Sequence, residues 1–235
     1  MKDWESVRAQ YYGWFLSLLD SRLLVERGRE VVRECLGQDL VAQYTRENIS
    51  SGEKCHCTAQ FVRKAQVDQV DPVETERLGE VSRLIIAAFI ITPRTFGARV
   101  ILTPSQLELY KQNDLEPFSV ASQSGQSKNL PPQSDRLRPD WEPTGAGSLE
   151  EVEGGQGSVL DLQGDVKGRR AHITLGCLGP TRPVQTGLDQ LEVLRRLEEC
   201  EDLEAGARLV SLGQGCWLLP LTSPLSVYTV FTGSY

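Results

Sequence analysis

The sequence predicts an α+β fold in two halves, each built from a central strand and a packing helix. Three observations predict it. Two segments, 14–36 and 183–200, carry apolar residues at helical spacing. Strand-like runs lie on both sides of a long stretch, 113–168, that is poor in core-forming residues. Each half also holds one of the chain's two histidines, in a strand-like run and two residues before a threonine.

In the first half, Leu18, Leu19, Leu23, Leu24, Val31, Val32 and Cys35 fall on one side of the helix expected over 14–36, and Gly37 is its expected stop. Residues 39–48 read as a second, short helix. Residues 55–62 alternate as a strand does. Pro72 near the first turn, with acids behind it, reads as a helix start over 72–80. Residues 84–92 have the length and apolarity of a buried strand. Pro93-Arg-Thr-Phe-Gly97 reads as a turn and 98–102 as the returning strand. Thr103 is the expected N-cap of a short helix, with Pro104 at its first position.

From 113 to 168 Ser, Gln, Gly, Pro and acids dominate, with Pro131-Pro132 and Gly154-Gly155 inside. This reads as a long flexible acidic insertion within a single domain spanning 1–235. Order resumes with a strand over 171–177. The helix over 183–200 is amphipathic, with Leu188, Leu191, Leu194 and Leu197 on its expected buried side and Arg195, Arg196, Glu198 and Glu199 outside. Residues 208–212, 217–221 and 226–231 read as strands, joined by turns at Gly213-Gln-Gly215 and Ser223-Pro224.

Composition narrows the function. Hydrophobic residues make up 40% of the 235 and charged residues 24%, as in an ordinary globular protein. No apolar run nears the roughly 18–20 residues that a membrane helix needs. The N-terminus has no apolar signal core and no myristoylation glycine follows Met1. The stretch Thr232-Gly-Ser-Tyr235 is no prenylation box, so a cytoplasmic chain without membrane contact is expected. A net charge of −7 argues against a broad nucleic-acid face and leaves room only for a local basic pocket. Six cysteines, at 35, 55, 57, 177, 200 and 216, form no CxxC pair and no secreted-type framework. Cys55-His56-Cys57 looks like half of a zinc site, but the second ligand pair is missing, so free thiols and no metal are expected. No Walker-type Gly-rich motif occurs, and no cofactor is expected.

The histidines carry the chemistry. The motifs are His56-Cys-Thr58 and His172-Ile-Thr174. With a period of two, each histidine shares a sheet face with its threonine. At ordinary threonine frequency both matches coincide by chance roughly once in a few hundred sequences. Two imidazoles suit the opening of a cyclic phosphate, in which one takes a proton from water and the other protonates the departing ribose oxygen. Threonine hydroxyls beside them can donate to the non-bridging oxygens, and no metal is then needed. Arg170, in the run Lys167-Gly-Arg169-Arg170, shares the face of His172 and suits phosphate oxygens. The helix start at Pro183 favours anions and polarised water.

With these residues in view, the chain resembles the catalytic domain of vertebrate 2′,3′-cyclic nucleotide 3′-phosphodiesterases (CNPases), of the two-histidine phosphoesterase superfamily, with the fish regeneration-induced branch as the nearest likeness. The carrying stretches are Tyr11-Tyr-Gly-Trp-Phe-Leu16, His56-Cys-Thr-Ala-Gln-Phe61, Ile91-Thr-Pro-Arg-Thr-Phe-Gly-Ala-Arg99, Arg170-Ala-His-Ile-Thr-Leu-Gly-Cys177, Pro183-Val-Gln-Thr-Gly-Leu-Asp189 and Val230-Phe-Thr-Gly233. The resemblance implies a bilobal α+β fold, two antiparallel sheets facing a central cleft with helices outside, and hydrolysis of 2′,3′-cyclic nucleotides to 2′-nucleotides. His56, Thr58, His172 and Thr174 would be catalytic. Tyr11, Phe61, Arg170, Pro183 and Val184 would line the nucleotide or its ordered water. Simple alternation puts Phe61, five residues after His56, on the opposite face; a strand end or a bulge would reconcile the two.

RNA ends bearing a 2′,3′-cyclic phosphate and cytoskeletal partners are the other partners the resemblance implies, with an RNA-end or cytoskeleton binding module as the alternative function. Full-length members also carry a P-loop kinase-like domain and a prenylated tail. Neither is in this sequence, so those functions are expected to lie outside it.

Overall fold

Four β-favouring aromatic residues around Gly13 form strand β1 (Tyr11–Leu16), so the first helix begins later than helical spacing alone suggests. Ser17 ends the strand and caps helix α1 (Leu18–Leu36), its hydroxyl accepting from the Asp20 N–H at 3.0 Å. Gly37, at φ 70°, closes α1 in the left-handed conformation that glycine adopts without strain. The computed structural model describes residues 9–37, 40–44, 54–62, 76–112, 150–151, 167–200 and 207–234. The remaining strands are β2 (His56–Phe61), β3 (Val81–Ile91), β4 (Thr95–Ile101), β5 (Glu150–Glu151), β6 (His172–Cys177), β7 (Val210–Ser211) and β8 (Trp217–Ser234). The remaining helices are α2 (Pro104–Leu109) and α3 (Val184–Glu198). Thr103 and Gln106 form a reciprocal capping box at the start of α2.

The described strands make one antiparallel sheet in the order β1-β2-β6-β4-β3-β8, and β8 pairs back with β1 to close a six-stranded, barrel-like ring. Where two sheets are expected from the resemblance, the described ladders run continuously around the ring. Strands β5 and β7 attach to β8. One face carries the larger apolar cluster, with Trp14, Phe89, Phe96, Ile173 and Phe231, and takes the buried side of α1. The other carries a smaller cluster in which Val193, Leu194 and Leu197 of α3 pack on Ala88, Ile90 and Leu218.

Several elements differ from the sequence expectation. Leu40 to Tyr44 are turns rather than a helix, tied down where the Tyr44 hydroxyl donates to the Thr92 carbonyl at 2.9 Å; the rest of that expected helix lies outside the described residues. Of the helix expected over 72–80, residues 72–75 also lie outside them, Glu76 is helical, and the helix ends there in a turn over 77–79. Leu19 is 53% exposed, and the buried side of α1 runs through Asp20, Ser21, Leu24, Val25, Gly28, Val31 and Val32.

Ser223-Pro224 makes no reversal. Strand β8 runs through it, and between the pairs Ile86↔Leu225 and Ala88↔Pro220 two steps along β3 are matched by five along β8. That irregularity absorbs the proline, which has no N–H to give to a regular ladder. Most of 113–168 lies outside the described residues, but Glu150–Glu151 within it pair with Ser226 and Leu225 of β8. No described helix is long and apolar enough to cross a membrane.

Candidate active site

The alternation read from sequence holds in both motif strands. In β2 Cys57 and Ala59 are buried while His56 and Thr58 are half-buried on the other face; in β6 Ile173 and Leu175 are buried while His172 and Thr174 are half-buried. Strands β2 and β6 are neighbours, paired antiparallel at Cys57↔Ile173. That register sets His56 across from Thr174 and Thr58 across from His172. The four side chains form a checkerboard on one face, with the imidazoles on its diagonal. Such diagonal neighbours are roughly 7–8 Å apart, room for a phosphate group with one imidazole at each side. The same alternation splits Cys55-His56-Cys57: both thiols turn into the core and the imidazole turns out, so the three do not converge on one ion.

Strand β1 builds the wall beside His56. Its ring stacks on Phe15 (centroids 4.9 Å apart, planes at 23°) and on Tyr11 (4.9 Å, 25°). Phe61 joins this group, its ring centroid 6.0 Å from that of Tyr11. The tension over Phe61 resolves in the β1–β2 ladder. Gly13 pairs with Thr58 but Tyr12 pairs with Gln60, so Ala59 is an extra residue on β2. This bulge resets the alternation and puts Phe61 opposite Tyr11, on the face of His56 and 40% exposed. His56 Nδ1 lies 3.4 Å from the Lys54 carbonyl. Burial lowers the pKa of His56, with that carbonyl opposing.

His172 is held more tightly. Its Nδ1 lies 2.7 Å from the Arg170 carbonyl, which can only accept, so Nδ1 carries the proton and Nε2 keeps a lone pair. Burial depresses its pKa to about 4; the Arg170 carbonyl opposes this, and the charges of Arg170, His56 and Arg99 add to it. At neutral pH the ring is therefore neutral and can accept a proton. Arg170 lies on the expected side of the strand, but it is buried, with its side chain under α3 rather than open to solvent. Arg99, paired across the β4–β6 ladder with His172, donates to the carbonyls of Val100, Gly168 and Ala171 and so secures the turn that leads into β6.

The start of α3 forms the remaining wall. The Thr174 hydroxyl donates to Thr186 Oγ1 at 3.0 Å and to the Pro183 carbonyl at 3.2 Å. Gly187 allows the close approach, because a Cβ there would come within 2.7 Å of His172 Cε1 and 3.0 Å of Arg170 Cγ. Pro183 is exposed at the N-cap position and Val184 half-buried. Of the nine residues named from the sequence, Tyr11, His56, Thr58 and Phe61 lie on β1 and β2, Arg170, His172 and Thr174 in or just before β6, and Pro183 and Val184 at the start of α3.

Sequence reasoning missed Phe15, Thr186, Gly187 and a polar hub at Asp189. On α3, Leu194 and Leu197 are buried as expected, but Leu188 and Leu191 are only half-buried, and the buried side also takes in Thr186, Gly187, Asp189, Gln190 and Val193. The first turns of α3 lie over the motif residues rather than over core, so small and polar residues are the ones covered there. Gln190 donates from Nε2 to the carbonyls of Arg169 and Ala171.

Comparison with known proteins points the same way. The family model for 2′,3′-cyclic nucleotide 3′-phosphodiesterase (CNP or CNPase) matches residues 159–235, which include the second motif and all of α3. The 2′,3′-cyclic-nucleotide 3′-phosphodiesterases of Rattus norvegicus and Mus musculus are 28% identical to this chain over alignments of 253 and 252 residues that cover 96% of it. That of Pongo abelii is 29% identical over 253 residues. Over nearly its whole length the chain is thus similar to CNPases. It spans about half the length of these CNPase relatives, 50% of each.

Proposed function

We propose that this chain hydrolyses 2′,3′-cyclic nucleotides to 2′-nucleotides by metal-independent acid–base catalysis with its two H-x-T motifs. The observation that carries the reading is the checkerboard, two imidazoles on a diagonal with a threonine hydroxyl beside each. The neutral, Nδ1-protonated His172 is the base, its Nε2 taking a proton from the attacking water. The water oxygen bonds to phosphorus as the bond from phosphorus to the 3′ oxygen breaks, and His56 gives its proton to that departing oxygen. The phosphate stays on the 2′ oxygen. A bound phosphate anion favours the charged imidazolium that His56 needs as an acid.

Thr58 and Thr174 serve the non-bridging oxygens, with unequal freedom. Thr174's one proton is engaged with Thr186 and Pro183, whereas Thr58's hydroxyl meets no comparable acceptor among the described residues. Tyr11 and Phe61 offer ring faces to the base, and the start of α3 at Pro183 and Val184 borders the water. Arg170, buried behind His172, contributes positive potential rather than a direct grip.

The reading extends to organisation. We take residues 1–235 as one catalytic domain with 113–168 as an insertion, and the ring as two lobes flanking the site. The single pair Cys57↔Ile173 joining the two motif strands, the thinnest joint in the ring, supports a seam there. The likeness to the fish branch rests on the sequence strings alone.

The test is incubation of the protein with 2′,3′-cyclic AMP or 2′,3′-cyclic NADP in excess EDTA, with the product isomer identified. Turnover to the 2′-phosphate is expected. A 3′-phosphate product, or activity abolished by EDTA and restored by zinc or magnesium, overturns the mechanism.

A further inference from the structure

We infer that Asp189 is a positioning residue for the second motif: it fastens the first two turns of α3 to the β3–β4 turn, and those turns hold Thr174 and His172 in their working places. Helix α3 begins without a side-chain cap and without an acid in its first turn, so nothing local secures its start. Asp189 supplies the fastening from the second turn. Its carboxylate, 5% exposed, accepts from Thr92 Oγ1 at 2.9 Å, Thr95 Oγ1 at 2.7 Å, Arg94 Nη2 at 2.7 Å, Arg94 Nε at 3.0 Å and Gln185 Nε2 at 3.0 Å. Burial alone would raise the pKa of this carboxyl, but the donors outweigh it and hold it below the usual carboxylate range. Three of the partner side chains belong to one tight turn, in which Thr92 Oγ1 also accepts from the Thr95 N–H at 3.0 Å.

The turns fastened in this way are the ones that touch the site. Pro183 and Thr186 accept the Thr174 hydroxyl, and Gly187 packs on the His172 ring. The Thr186 methyl sits over Gly97, which pairs with Thr174 across the β4–β6 ladder. Loosening the carboxylate therefore lets the helix start lift from the two motif residues while the strands beneath keep their register. Misplacement on the scale of 1 Å costs up to roughly 100-fold in rate.

The test uses Asp189→Asn beside Val32→Ala, a control that opens a cavity in the fully buried side of α1. The chain has only two histidines, so two imidazole Cε1–H resonances report the site directly by NMR. In Asp189→Asn, kcat is expected to fall roughly 10–100-fold with KM little changed. The midpoint of His172 should move up from about 4 toward 6.5 as water enters beneath α3, while that of His56 stays. The charges facing His172, from Arg170, Arg99 and His56, are unaltered by the substitution. Val32→Ala should lower thermal stability and leave kcat and both midpoints in place.

Wild-type kcat or an unmoved His172 midpoint in Asp189→Asn overturns the inference, as does a Val32→Ala protein that reproduces both changes. If Asp189→Asn does not fold, Thr95→Val removes one donor from the same carboxylate; smaller shifts of both readouts in the same direction support the inference, and unchanged readouts overturn it. The kinetic arm rests on the phosphodiesterase reading. Absence of wild-type turnover defeats that reading alone, and the resonances still decide the role of Asp189.

Discussion

Acidification should destabilise this protein through His172, and the size of the effect can be worked from its surroundings. Its pKa is about 4 in the folded chain against 6.5 when solvated. The folded value is the lower one, so the unfolded chain takes up the proton first. Stability is then lost as pH falls through 6.5 and levels off below about 4. The full difference of 2.5 between those two values corresponds to about 3 kcal/mol, of which about 2 kcal/mol is gone by pH 5. The ring keeps some solvent contact, so about 1–2 kcal/mol is the working figure between pH 8 and pH 5.

Carboxylates add little over this range. Glu192, held down to about 2 by Arg195 and Arg196, loses its contribution as pH falls from the ordinary carboxylate value of 4.5 toward 2, below this interval. Urea unfolding of the wild type and of His172→Asn at pH 8, 6 and 5 measures the effect. Asparagine keeps a donor for the Arg170 carbonyl and has nothing to titrate, so its stability should fall less over that interval by the stated amount. Equal pH slopes in the two proteins would refute the account of His172 as a buried neutral base.

Two further substitutions probe the walls of the site. Thr58→Val should lower kcat by roughly 10–100-fold with an unchanged melting temperature, since its hydroxyl is available to substrate. Thr174→Val should cost less in rate and about 1 kcal/mol in stability, because its hydroxyl ties β6 to α3; steady-state kinetics and thermal melts showing the reverse ranking would remove the asymmetry. Gly187→Ala would ordinarily gain about 0.5–1 kcal/mol of helix stability. Here the new methyl meets His172 Cε1 at 2.7 Å, so turnover should collapse and stability should not rise. A more stable, fully active variant in the same two assays would contradict the close packing described.

What could be read from the sequence follows from how far each signal reaches. The shared face of His56 with Thr58, and of His172 with Thr174, needs only a period of two, and it held. Phe61 could not be settled in that way, because the bulge at Ala59 exists only in relation to β1. Ser223-Pro224 looks like a turn in isolation, and only the slipped register against β3 shows how a strand carries it. The late start of α1 was written locally, in the aromatic run before Ser17, but helical spacing beginning at Trp14 masked it. Asp189 had no local signal at all. Its partners come from 92–95 and 185, and a carboxylate one residue after Leu188 in an amphipathic helix reads as the solvent side.

The Cys57↔Ile173 pair has one more consequence. Two antiparallel strands are related by a local two-fold axis normal to the sheet. An axis through that pair carries His56 onto His172 and Thr58 onto Thr174. The backbone thus offers the substrate two equivalent halves, much as in-line displacement at phosphorus places the entering and departing oxygens at equivalent apices. Nothing in the strands themselves says which imidazole gives a proton and which receives one. What differs is what lies on either side of the axis: the rings of Tyr11 and Phe15 over one histidine, a glycine-faced helix over the other, and the proposed division of labour rests on that difference. On the proposed mechanism, exchanging those coverings, and not the motifs, is the change that would run the site in the opposite sense.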